Sequence, residues 1–135
     1  GFEMLDDTHV LTRYQNMLVI YDLKQKQVKE IPLDYVTDIF LASPGGIVLT
    51  GLQFTDRIDI WKTADLLTAP APRPRATLYP FSNGQWLITT PDGYFDCSPQ
   101  VPAVIRWIRQ GQNYPYEQFE PQYHKPELVR QALGG

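Results

Sequence analysis

The chain has 135 residues, of which 43% are hydrophobic, 20% charged and 13% aromatic; this is one ordinary globular domain's worth, and it excludes wholesale disorder. A net charge of −3 argues against a nucleic-acid grip built on phosphate contacts, and no apolar run approaches the roughly 20 residues that membrane insertion as a helix needs. The one cysteine, Cys97, leaves no disulfide framework, and the start has no charged-then-apolar signal segment; together these fit a cytoplasmic chain.

In chain order, His9-Val-Leu-Thr-Arg-Tyr14 and Met17-Leu-Val-Ile-Tyr21 read as strands joined by a two-residue hairpin turn at Gln15-Asn16, without the favoured glycine. Gln27-Val-Lys-Glu-Ile31 alternates polar and apolar residues. Val36–Ala42, Gly46–Thr50 and Arg57–Trp61 are three further strand candidates, with turn chemistry at Ser43-Pro-Gly-Gly46 and Thr55-Asp56. Short strands with turns at this spacing indicate a mainly β, antiparallel architecture.

The strands repeat. Val19-Ile-Tyr-Asp-Leu23 resembles Asp59-Ile-Trp-Lys-Thr63 at an offset of 40, Val10-Leu-Thr12 matches Val48-Leu-Thr50 at 38, and Leu87-Ile-Thr89 follows the latter by 39. These offsets fall close to the WD-repeat propeller period of roughly 40–45 residues, four strands to a blade. The Gly-His and Trp-Asp dipeptides of that family are absent or degraded. About two and a half blades do not close a ring, which needs roughly 4–8, so the remaining blades or another protein chain are the expected partners. The chain opens on Gly1 rather than Met, which reads as a fragment or a processed piece.

Proline divides the chain. Of 12 prolines, only Pro32 and Pro44 precede residue 70. Pro70-Ala-Pro-Arg-Pro-Arg75 therefore reads as an extended connector, with a basic proline-rich ligand motif as the alternative. The expected organisation is blades over 1–69, connector over 70–75 and a β-plus-helix module over 76–135, packed on the blades.

In that module Ala76–Pro80 and Gln85–Thr90 read as strands around Ser82-Asn-Gly84. Thr90-Pro-Asp-Gly93 is a second turn with Pro91 where φ is preset, and Tyr94–Asp96 is a short strand. Ser98 and Pro99 then suit a helix start, with Val101, Val104, Ile105 and Ile108 on one face and Gly111 as its stop. Lys125–Leu133 is a second short helix, ended by Gly134.

The run Gly84-Gln-Trp-Leu-Ile-Thr-Thr-Pro-Asp-Gly-Tyr-Phe-Asp-Cys-Ser-Pro99 resembles the C-terminal module of bacterial WD-repeat proteins associated with caspase-like peptidase domains. Its key positions here are Trp86, Pro91, Gly93, Tyr94, Phe95, Asp96, Ser98 and Pro99, followed by Trp107, Tyr114-Pro-Tyr-Glu-Gln-Phe119 and Tyr123-His-Lys-Pro-Glu-Leu-Val129. The likeness covers about 76–134 and departs at Cys97, where a smaller residue is usual. It implies a bacterial, non-catalytic interaction, scaffold or regulatory segment at the end of a propeller. The peptidase would lie elsewhere in the parent, so no catalytic residue carries over. If such a peptidase acts on its own chain, Gly1 and Gly135 could be processed ends.

Candidate chemistry is sparse. Cys97 and His124 are the only nucleophile–base combination, and a remote alternative is a cysteine hydrolase that uses them. Asp92 and Asp96 could serve acid–base work, but Asp beside Gly or a helix start is ordinarily a turn or cap residue. Asp6-Asp-Thr-His9 lacks metal-ligand spacing, so neither a metal nor another cofactor is expected. Lys24–Lys29 reads as a solvated basic hairpin. Trp107, Tyr114, Tyr116, Phe119 and Tyr123 either pin short helices to the sheet or form an interaction surface. A self-contained small β-rich binding domain is the other alternative.

Overall fold

The computed structural model describes residues 1–37, 39–42, 46–51, 57–101, 106–109 and 112–134, with 39–42, 106–109 and 112–119 described by backbone alone. The described chain divides into two compact units, Gly1–Pro74 and Arg75–Gly135.

The first unit begins with a four-stranded antiparallel sheet of β1 (Glu3–Met4), β2 (His9–Tyr14), β3 (Met17–Asp22) and β4 (Gln27–Pro32), whose spatial order is the sequence order. Each hairpin has a local cause. Gln15 accepts a φ of 54° so that β2 can turn into β3 in two residues. Before β4, the Asp22 carboxylate accepts the amides of Lys24 and Gln25, and Lys26 takes a φ of 59°. Strand β1 is too short to stand out as a pattern, and the sequence reading missed it.

A second antiparallel set follows: β5 (Ile39–Ala42), β6 (Ile47–Gly51) and β7 (Ile58–Lys62). The turns expected at 43–45 and 55–56 lie outside the described residues. Gly51 is required by close approach: a Cβ there would sit 2.9 Å from the Arg57 carbonyl oxygen. Strand β7 runs directly into α1 (Thr63–Thr68), an element the sequence reading did not anticipate. Leu11, Leu18, Ile20 and Ile31 of the first sheet meet Val48, Trp61 and Leu66 of β6, β7 and α1 in one buried cluster. Removing a side chain such as Leu18 from it would cost about 2–5 kcal/mol. Lys29 is not a solvated hairpin residue. It lies on the inward face of β4, and its ammonium donates to the Leu66 and Ala69 carbonyls at the end of α1, at 2.8 and 2.6 Å.

The second unit opens with β8 (Ala76–Pro80), β9 (Trp86–Thr89) and β10 (Phe95–Cys97), paired antiparallel. The two loops joining them share one build. Gly84 donates to the Phe81 carbonyl at a φ of 83°, and Gly93 donates to the Thr90 carbonyl at a φ of 91°. Two further strands, β11 (Arg106–Arg109) and β12 (Gln112–Pro115), pair with each other, and α2 (Tyr116–Tyr123) and α3 (Pro126–Ala132) complete the chain. Gly134, at a φ of 88°, ends α3 as expected.

The helix expected from Ser98 onward is corrected by this hairpin. Residues 106–109 are extended and pair in register with 112–115. Two physical reasons account for it. Ile108, one of the four residues that gave the helical spacing, is β-branched and favours the extended backbone it adopts, while Val104 and Ile105 lie outside the described residues. Ser98 is also not available as a cap, because its hydroxyl and amide are bound to the Trp86 backbone. Gly111, expected as the helix stop, lies outside the described residues. The fold class is thus mainly β, with antiparallel blade-like sheets and two short C-terminal helices, α2 and α3.

Candidate functional site

The most organised polar cluster lies in the first unit. Alternation along β6 and β7 sends Thr50, Asp59 and Trp61 to the inward face, where all three are buried. Tyr35 reaches them from the segment after β4. The donors and acceptors order themselves. Trp61 Nε1 can only donate, and it does so to Thr50 Oγ1 at 2.8 Å. The Tyr35 hydroxyl donates to Asp59 Oδ2 at 2.8 Å, so the 2.6 Å contact between Thr50 and Tyr35 takes its proton from Thr50. The chain of donors runs Trp61, Thr50, Tyr35 and ends on a carboxylate. Arg57 completes it, donating from Nε and Nη2 to the two Asp59 oxygens at 3.3 Å each. Its guanidinium also lies 5.3 Å from the Tyr35 ring centroid and 3.7 Å from Asp34.

Burial, with Asp59 beside it, pushes the Tyr35 phenol well above its ordinary value. The hydrogen bond to Asp59 raises Arg57 further. Both groups are thereby held in the protonation states that the chain of bonds requires. A cavity of about 550 Å³ opens beside the cluster, lined by the 30–35 segment, Arg57, Asp59, Trp61 and the Pro70–Pro74 run. Chemically the arrangement fastens the loop after β4 to β6 and β7, and it presents Arg57 already matched by Asp34 and Asp59.

This cluster was missed in the sequence. Its only linear signal is Asp59 and Trp61 two apart on β7 opposite Thr50 on β6; Tyr35 enters from a loop and leaves no periodic trace.

The residues singled out from sequence are placed as follows. Cys97 ends β10 opposite Leu87, half-buried, with its amide bound to Asp96 Oδ1. His124 stacks on Phe95 with ring centroids 4.9 Å apart; its Nδ1 lies 2.9 Å from Glu120 and its Nε2 lies 3.4 Å from Asp96. The imidazole therefore has a carboxylate at each nitrogen. Asp92 is exposed in the Pro91 loop, whereas Asp96 serves Cys97 and His124, so the two carboxylates have different tasks. Trp86 and Ser98 clamp β9 against the end of β10, and Pro99 is exposed beyond it. Tyr94 and Tyr123 approach at 6.4 Å, with Tyr123 over Gly93. Trp107 and Tyr114 are direct cross-strand partners in the β11–β12 hairpin, while Tyr116 and Phe119 lie on α2.

Asp6 is a turn former. Its carboxylate accepts the Thr8 and His9 amides and touches His9 Nδ1, and the Thr8 amide in first place holds it below its ordinary value. Asp22, on the other side of His9 at 3.3 Å, is lowered chiefly by the Gln25 amide. Among the described residues no group of three or more His, Cys, Asp or Glu is placed to hold a metal ion. Among them, too, no helix is long and apolar enough to cross a membrane.

No protein-family model matches the sequence, and no curated protein matches it. Among solved structures the chain is similar to Hsv2 of Kluyveromyces marxianus, at 20% identity and a TM-score of 0.45, covering 72% of this chain and 34% of that one. It is also similar to Hsv2 of Kluyveromyces lactis, at 18% identity and a TM-score of 0.45, covering 72% of this chain and 37% of that one. The chain spans about a third of the length of these proteins.

Proposed function

We propose that the chain is a non-catalytic interaction or scaffold segment, the end of a WD-repeat propeller in a bacterial protein that carries a caspase-like peptidase domain elsewhere. The observation that carries this reading is the sheet β1–β4. It is a meander in strict sequence order, laid through Leu11, Leu18, Ile20 and Ile31 onto the next antiparallel set. Such a unit buries its apolar faces only by stacking on further units, as propeller blades do. The run Gly84–Pro99 supports the bacterial and peptidase-linked context by resemblance. Residues 1–69 then serve as blades, 70–75 as connector and 76–135 as the terminal module. The partners are the remaining blades or another chain, and the aromatic residues from Trp107 to Tyr123 offer an interaction surface.

The non-catalytic part is tested by reacting Cys97 with iodoacetamide and by assaying ester and peptide hydrolysis. Alkylation at the rate of an ordinary free thiol, and no hydrolysis above a Cys97→Ser control, is the expected result. Fast alkylation with hydrolysis lost in Cys97→Ser would overturn it.

A further inference from the structure

His9 stands between two turns of the first unit. Its Nδ1 lies 2.9 and 3.0 Å from the two carboxylate oxygens of Asp6, the turn former between β1 and β2. Its Nε2 lies 3.3 Å from Oδ2 of Asp22, whose Oδ1 accepts the Lys24 and Gln25 amides before β4. Register explains the meeting. His9 is paired with Asp22 across β2 and β3, and directly opposed residues share a face.

A neutral imidazole has one N–H and one lone pair, whereas an imidazolium has two N–H groups. Only the charged ring donates to both carboxylates. The neutral ring with its proton on Nδ1 keeps the shorter contact to Asp6 and turns a lone pair toward Asp22. With its proton on Nε2 it keeps Asp22, and the Thr8 hydroxyl, 3.2 Å from Nδ1, can donate there, but the Asp6 carboxylate is left against a lone pair. The Thr8 amide in first place holds Asp6 below the ordinary carboxylate value, and the Gln25 amide does so for Asp22, so both stay charged where histidine titrates. The other groups around the ring do not take over this role. From β4, the Lys29 ammonium is engaged by the Leu66 and Ala69 carbonyls; α1 brings Leu66 and Leu67, and Asp7 is exposed.

We propose that His9 is a proton-operated tie between these two turns, closed when the ring is charged and open on the Asp22 side when it is neutral. The fold leaves room for the opening, because a cavity of about 140 Å³ adjoins the ring beside Asp22, Gln27 and Leu66. The strands need not part, since the Leu23 amide still donates to the Thr8 carbonyl at 2.8 Å. What is released is the exposed turn Lys24-Gln-Lys26, so the tie makes the presentation of two ammonium groups depend on pH. The sign follows from the form that makes the bonds. The tie is complete at the acid end and is lost as pH rises between roughly 5 and 8.

The test follows the full chain by NMR and by thermal melting from about pH 5 to about pH 8. In the wild type, the Lys24 and Gln25 amide resonances should shift together with those of the His9 ring, and the melting midpoint should fall. Asp22→Asn keeps an acceptor oxygen for the turn and offers an N–H to a neutral Nε2, so its midpoint should fall less, and His9→Gln should behave alike. His124 is present in all three, so its own titration cancels from the comparison. Lys24 and Gln25 resonances that stay fixed while the His9 ring titrates, or midpoints that fall in parallel in all three chains, would overturn the tie. If a variant fails to fold, the wild-type resonances decide alone.

Discussion

The indole N–H of Trp61 donates to the hydroxyl of Thr50 at 2.8 Å, with Trp61 2% and Thr50 0% exposed. Thr50 must then give its own proton to Tyr35, and a side chain from a loop becomes part of the joint between β6 and β7. Thr50→Val keeps the shape but leaves a buried indole donor without its acceptor. The expected loss is about 1–3 kcal/mol by urea denaturation. In a cycle with Tyr35→Phe the two losses should fall short of additivity, because both substitutions break the same contact.

Tyr35 should give stability a distinct alkaline limb. Its folded pKa lies above the ordinary 10.0, so the folded state holds the phenolic proton more tightly than the unfolded chain does. The contribution is complete below pH 10.0 and is lost as pH rises from there toward the folded value. Urea midpoints measured from pH 9 upward should fall more steeply for the wild type than for Tyr35→Phe; parallel curves would refute the coupling.

Lys29 caps α1 from a neighbouring strand. Lys29→Met keeps the apolar stem and removes the two hydrogen bonds to Leu66 and Ala69. A loss of about 1–2 kcal/mol is expected, with faster amide exchange confined first to 63–69.

The sequence was most legible where alternation is local. The β2–β3 and β3–β4 hairpins, and the Gly84 and Gly93 loops, follow from residues adjacent in the chain. It was least legible where two periods compete. Val101, Val104, Ile105 and Ile108 fit a helical face by spacing, yet Ile108 is branched and favours extended backbone, and the pairing of 106–109 with 112–115 is what decides there. Helix α1, at six residues, is too short for a period to show, and Lys29 became structural only once α1 existed. The cluster around Tyr35 needs a loop to cross onto β6 and β7.

Gln15 adopts a φ of 54°, where a side chain is strained. Gln15→Gly should relieve this and raise stability by about 0.5–1 kcal/mol, read as a shift in thermal midpoint with the β2–β3 register unchanged.

The most direct test of the proposed reading, a segment of a propeller that associates with further blades, is its mass in solution by light scattering with native mass spectrometry. A specific oligomer, forming reversibly as concentration rises, is the expected result. A compact monomer of 15.5 kDa that unfolds in a single cooperative transition would contradict it and point to a self-contained domain.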